Sequence, residues 1–129
     1  MKKLYKFIIG ILFMCMLGGC GASKLSDNYN ENKLQESSEK LIDCFNNEKY
    51  DNIVDGMDDS LKKQVSSDQL KEAWSNFKKV GKYKSISKII FQEKNSIAIV
   101  VVIAQYENSN VQFTLSYNKD MKLVGIYFK

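Results

Sequence analysis

The run IAIVVVIAQY, residues 97–106, is apolar at odd and even positions alike. A strand with hydrophobic side chains on both faces must be covered on both, which places it at the centre of a sheet. The segments around it show a period of two. Residues 83–93 read as a strand before it. After it, Val111, Phe113, Leu115 and Tyr117 alternate with Gln112, Thr114 and Ser116, as in a strand with one face in water. Leu123 to Phe128 reads as the last strand. The connections KNS, NSN and NKD are short and rich in residues that tolerate a left-handed backbone, so hairpins are the natural joins. The expectation is a four-stranded antiparallel meander.

The chain before residue 82 has a helical period instead. From Lys33, the residues Leu34, Leu41, Ile42 and Phe45 share one face, with Glu36, Glu39 and Lys40 opposite. Tyr50, Ile53, Val54 and Met57 follow the i, i+3, i+4, i+7 pattern of a short second helix that ends in an acidic turn. Leu61 and Val65 mark a brief third element of undetermined type. Ser66 with Gln69 forms a capping box, and Asp68 in the first turn complements the helix dipole. Leu70, Ala73, Trp74 and Phe77 are that helix's apolar stripe, and Gly81 is placed to end it in a left-handed cap.

Helices followed by a meander define an α+β domain over residues 33–129. A right-twisted sheet curls, and the helices carrying Leu41, Ile53 and Trp74 are the available cover for its concave face. Trp74 is the expected anchor of that core. Trp74, Phe77, Ile99 and Phe113 are the expected lining of any pocket between helices and sheet, and the same residues would otherwise fill a closed core.

The N-terminus follows a different logic. Residues 1–6, MKKLYK, are basic, and residues 7–17, FIIGILFMCML, are an apolar run of eleven. A membrane-spanning helix needs about twenty residues, so this run has the length of a signal-peptide core. Leu17-Gly18-Gly19-Cys20 follows it and resembles the lipobox of bacterial lipoproteins. That resemblance implies cleavage after residue 19, with Leu17, Gly18 and Gly19 recognised by the signal peptidase and Cys20 carrying lipid. Two acyl chains suffice for stable anchoring. The product would be exported and held on the outer side of the cell membrane. Residues 20–32 would be the lipidated cysteine and a flexible linker. Of the three cysteines only Cys44 then remains, so no intrachain disulfide is available. Beside Phe45 on an amphipathic helix, it reads as an inert core thiol.

The domain as a whole resembles the bacterial family catalogued as domain of unknown function 3887. The resemblance rests on NNEKYDNIVDGMDDSLKK, on SSDQLKEAWSNFKKVGKYKSI, and on the closing VGIYF. The element order is also similar to the cone-shaped, nuclear-transport-factor-2-like fold, in which a curled sheet wraps helices around a pocket. That likeness implies a fold and no activity.

Composition narrows the function more than any motif does. The chain has no histidine, so it can build no Ser-His-Asp or Cys-His catalytic arrangement and no His-containing zinc site. All 19 cationic residues are lysines, which removes the bidentate guanidinium fork. Lys2, Lys3 and Lys6 account for most of the net charge of +4, leaving a near-neutral domain unsuited to nucleic acid. Asp43, Asp51, Asp55, Asp58 and Asp59 are carboxylates without a pairing geometry, and Asp55 to Asp59 lack the EF-hand spacing. Tyr83, Tyr106 and Tyr117 are possible hydrogen-bond donors, more simply read as strand packing. No cofactor and no metal are expected. Three functions remain: a module binding a small apolar ligand, an accessory protein docking on an envelope protein through Gln112, Thr114, Ser116 and the last strand, and a cone-fold enzyme acting on a small apolar substrate. The reading preferred from sequence is an envelope-anchored, non-catalytic binding or accessory domain.

Overall fold

The computed structural model describes residues 24–129. The expected signal peptide, with Leu17, Gly18, Gly19 and Cys20, lies outside the described residues. Four α-helices come first: α1 (Glu31–Asn46), α2 (Tyr50–Asp55), α3 (Asp59–Gln64) and α4 (Ser67–Ser75). A single 3-10 turn, Lys78–Val80, leads into the strands β1 (Tyr83–Lys94), β2 (Ile97–Tyr106), β3 (Asn110–Tyr117) and β4 (Leu123–Phe128). The strands pair antiparallel in the order β1-β2-β3-β4, and the helices cover one face. The α+β meander read from sequence is the fold.

Local chemistry explains where the elements begin. Asn30 caps α1 by accepting from the Lys33 N–H, and Asp58 caps α3 by accepting from the Leu61 N–H at 2.8 Å. The reciprocal Ser66–Gln69 capping box opens α4 as expected. Asn95 and Ser96 take φ of 53° and 67°, the two left-handed residues of a type I′ turn joining β1 to β2. Breaks in register after Tyr83 and Ile86 bend β1, as bulges do.

The core lies between α1 and the sheet. Phe45 is fully buried, its ring centroid 5.0 Å from Trp74, 5.2 Å from Phe128 and 5.8 Å from Phe113. These offset and edge-on contacts fill the interior with aromatic rings. Trp74 also meets Phe77, Tyr106, Phe113 and Phe128, but it is only half-buried, so the fully enclosed Phe45 is the hub of the interior and Trp74 carries the cluster out to the surface. Ser38 interrupts the apolar stripe of α1 without penalty, because its hydroxyl meets the Tyr117 OH at 3.2 Å.

Three expectations are corrected. Residues 24–32 are not a free linker: Tyr29 is buried, its OH donating to the Ser96 carbonyl at 2.6 Å, and the Ser26 N–H donates to Glu93. Gly81 has a positive φ of 84° but a ψ of −155°, outside the left-handed helical region, and α4 has already ended at Ser75. A Cβ at Gly81 would lie 2.7 Å from Glu107 Oε1, so its bare backbone allows the β2–β3 loop to close on it. Thr114 and Ser116 do not face water; they are 3% and 2% exposed. Their cross-strand neighbours include Tyr127, Val101 and Ile99, and these larger side chains shade the small ones.

Two outcomes follow. Phe45→Ala should cost about 3–5 kcal/mol in chemical denaturation, and Trp74→Ala about 2 kcal/mol, because much of the indole already borders open space. The reverse ranking would return Trp74 to the role of anchor. Thr114 Oγ1 is buried without a partner, so Thr114→Val should raise stability by about 1 kcal/mol.

Candidate functional site

A cleft of about 500 Å³ opens where the C-terminal turn of α1, α4, the 3-10 turn and the ends of β1 and β2 converge. Its apolar walls come from Phe45, Trp74, Phe77, Val80, Tyr83 and Tyr106. Trp74 and Phe77 are stacked, with centroids 5.6 Å apart and planes 11° off parallel. Tyr106 stands edge-on to Trp74 at 6.0 Å, and Tyr83 stands edge-on to Tyr106 at 5.5 Å. Among the described residues, Tyr83 is the single large hydrophobic side chain that is exposed, at 37%. The rim carries Lys71, Lys78 and Lys82 against one carboxylate, Glu48.

The sequence explains this placement. Phe77 lies just beyond α4, in a turn closed by its N–H donating to the Trp74 carbonyl at 2.9 Å, and this three-residue spacing sets its ring against Trp74. The turn after Ser75 and the backbone at Gly81 then reverse the chain, so Tyr83 begins β1 paired with Tyr106. That reversal is pinned by the β2–β3 loop. The Asn108 N–H and side-chain amide donate to the carbonyls of Val80 and Lys79, and Glu107 accepts from the Lys82 N–H at 2.9 Å.

Of the four expected lining residues, the structure brings Trp74 and Phe77 to the cleft. Phe113 is fully buried behind them, 5.8 Å from Trp74, and contributes backing instead of surface. Ile99 lies on the opposite face of the sheet, beside Ser116 and outside the helix-covered core. Sequence reasoning missed Phe45, Tyr83, Tyr106 and the three rim lysines as cleft residues. The signal available was weak: Lys71, Trp74 and Lys78 recur at helical intervals, but the contribution from β1 and β2 depends on the chain reversal.

The hydrogen-bonding groups here are few. The Tyr106 OH donates to Asn46 Oδ1 at 2.5 Å, and the Asn46 Nδ2 is shielded without a partner. Burial raises the Tyr106 pKa, with Tyr83 adding to the effect and the Asn46 bond opposing it. Tyr83 is raised by burial and by Asp43 and Glu39, and Tyr50 by burial and Glu48. All three phenols keep their protons at neutral pH and act as neutral donors. Of the expected carboxylates, Asp58 caps α3 and Asp51 accepts from the Ser67 hydroxyl, whereas Asp43 acts on Tyr83 at the cleft. Among the described residues no group of three or more Cys, Asp or Glu side chains could hold a metal ion.

A smaller cleft of about 290 Å³ lies between α1, α2 and the β3–β4 turn, lined by residues including Cys44, Asn52, Tyr117 and Met121. Cys44 is half-buried instead of fully enclosed, and burial raises its thiol pKa. A protonated thiol is a poor nucleophile.

Helices on one face of a curled antiparallel meander, with an aromatic cleft at one end, define a small α+β domain. The chain belongs to the family described as "Protein of unknown function (DUF3887)", which matches residues 38–126. A solved structure of the same fold is described as "NMR structure of protein from Ruminococcus gnavus ATCC 29149". It superposes with a TM-score of 0.71 at 18% identity, covering 81% of this chain and 96% of that one. No curated protein matches the chain.

Burial pushes the Tyr117 phenol up from 10.0 to about 12, against the weaker opposing effect of its bond to Ser38. The folded protein holds that proton more tightly than the unfolded chain does. Its contribution is therefore complete below about pH 10 and is lost as pH rises toward 12. In urea denaturation, the advantage of the native chain over Tyr117→Phe should shrink by about 2 kcal/mol across that interval. A constant difference would mean that Tyr117 is not buried as described.

Proposed function

We propose that this protein is an envelope-anchored lipoprotein whose domain, of nuclear-transport-factor-2-like fold, binds a small ligand in the aromatic cleft and catalyses nothing. The cleft carries the reading. It concentrates partly exposed aromatic surface at one concave site, and such sites are where small molecules bind. The chain has no histidine, the cleft phenols are neutral near physiological pH, and Glu48 is the single carboxylate among the lining residues, with no second acid or base set against it there.

The anchor fits the same geometry. If lipid is carried on Cys20, only residues 21–23 separate it from the described domain. Ser26 and Tyr29 attach the chain to Glu93 and Ser96, at the β1–β2 turn. The cleft is at the other end of that hairpin, and β1 spans about 35 Å between them at the usual rise per residue. A membrane-tethered domain would thus present its cleft outward. No helix among the described residues is long and apolar enough to cross a membrane.

A second reading, docking on an envelope protein, draws on the sheet face away from the helices, where Ile97, Val101, Ile103 and Tyr127 are half-buried. Thr114 and Ser116 are too covered to serve it as expected from sequence.

Native mass spectrometry of the protein extracted from its own envelope, without overexpression, separates these readings. A lipid mass on Cys20 together with a bound small molecule is expected. A co-purifying protein in place of a small molecule would favour docking. An uncleaved N-terminus would remove the anchor.

A further inference from the structure

We infer that the ligand of the aromatic cleft is a small planar organic anion: an aromatic body carrying a carboxylate or a phosphate. The inference rests on the cleft being a binding site, and it adds which chemistry the site selects. Two features of the cleft determine it together.

The walls favour a flat apolar body. Trp74 and Phe77 form a stacked pair, Tyr106 stands edge-on to Trp74 at 6.0 Å, and Tyr83 stands edge-on to Tyr106, so the four rings form one continuous aromatic wall. A planar ring gains offset or edge contacts on such walls beyond its simple burial. The cleft volume of about 500 Å³ is in the range of sites for small organic molecules.

The rim decides the charge. An aromatic box by itself would suit a cation, because the ring faces are electronegative. Here Lys71, Lys78 and Lys82 border the opening with Glu48 as the single carboxylate among the lining residues, and the Glu107 carboxylate lies behind Gly81, where it accepts from the Lys82 N–H. Asp43 and Glu39 act on the cleft from the α1 side, next to Tyr83. Lys71 on α4 and Lys78 in the 3-10 turn thus border the Trp74 and Phe77 side of the opening, and Lys82 stands next to Tyr83 at the start of β1. Among the described residues these three lysines make no ion pair, so they are not already neutralised by the fold. An anion with its ring laid against the aromatic wall would set its charge toward the rim lysines.

The test uses two probes of matched shape, naphthalene-1-acetate and its uncharged counterpart naphthalene-1-acetamide. Trp74 is the chain's single tryptophan, so 5-fluorotryptophan labelling of the full chain in lipid nanodiscs gives one fluorine resonance inside the cleft wall. Titration, with free probe fixed by dialysis, should show the acetate binding about tenfold more tightly at low ionic strength. That gap should narrow in about 0.5 M salt, where surface charges are screened. It should vanish in the Lys71→Gln, Lys78→Gln, Lys82→Gln variant, whose exposed substitutions leave the core untouched. Equal binding of both probes, or tighter binding of the acetamide, would overturn the inference and leave the cleft a binding site. No movement of the Trp74 resonance with either probe would count against both.

Discussion

Phe45 occupies the point where the helical layer meets the sheet, and the remaining architecture is arranged around its burial. Its ring touches Trp74 from α4, Phe113 from β3 and Phe128 from β4, and it stands edge-on to Tyr50 from α2. One side chain at the end of α1 therefore fixes the position of four other elements. Aromatic rings achieve this because they bring large apolar area and a preference for particular relative orientations. The interior is consequently filled, and the open space is displaced to the edge of the cluster. The cleft is that edge: Trp74 and Phe77 are the members of the aromatic cluster that remain partly in solvent.

The same displacement separates the two ends of the molecule. The β1–β2 hairpin is long, and its turn takes the N-terminal segment through Tyr29 and Ser26 while its open end contributes Tyr83 and Tyr106 to the cleft. The docked N-terminal segment and the cleft thus fall at opposite ends of one pair of strands. The loop between β2 and β3 stabilises the cleft end by hydrogen-bonding the backbone around Gly81, where any side chain would collide with Glu107.

Much of the fold was legible because each strong local signal agreed with its neighbours. The capping box placed the start of α4, the apolar run placed β2, and the Asn-containing connections placed the hairpins. The failures also have local causes. Ile99 was assigned to the wrong face because a strand that is apolar throughout has no alternation to say which side faces the helices. Thr114 and Ser116 alternate correctly, but small polar side chains between large neighbours are covered whatever their polarity. Tyr29 lies in a polar, aperiodic stretch, and its docking depends on two backbone carbonyls brought near it by β1, β2 and β3.

By itself, the sequence determined the α+β class, the order of the elements, the antiparallel meander and the lack of histidine chemistry. Those follow from period, capping and composition, which act over a few residues or none. Only the tertiary structure decided that Phe45 and not Trp74 is the hub, that Phe113 backs the cleft without lining it, and that Lys71, Lys78 and Lys82 share a rim with Tyr83 and Tyr106. These are juxtapositions of residues far apart in the chain. They are set by how the bent sheet and the helices share one aromatic core, a balance no local pattern encodes.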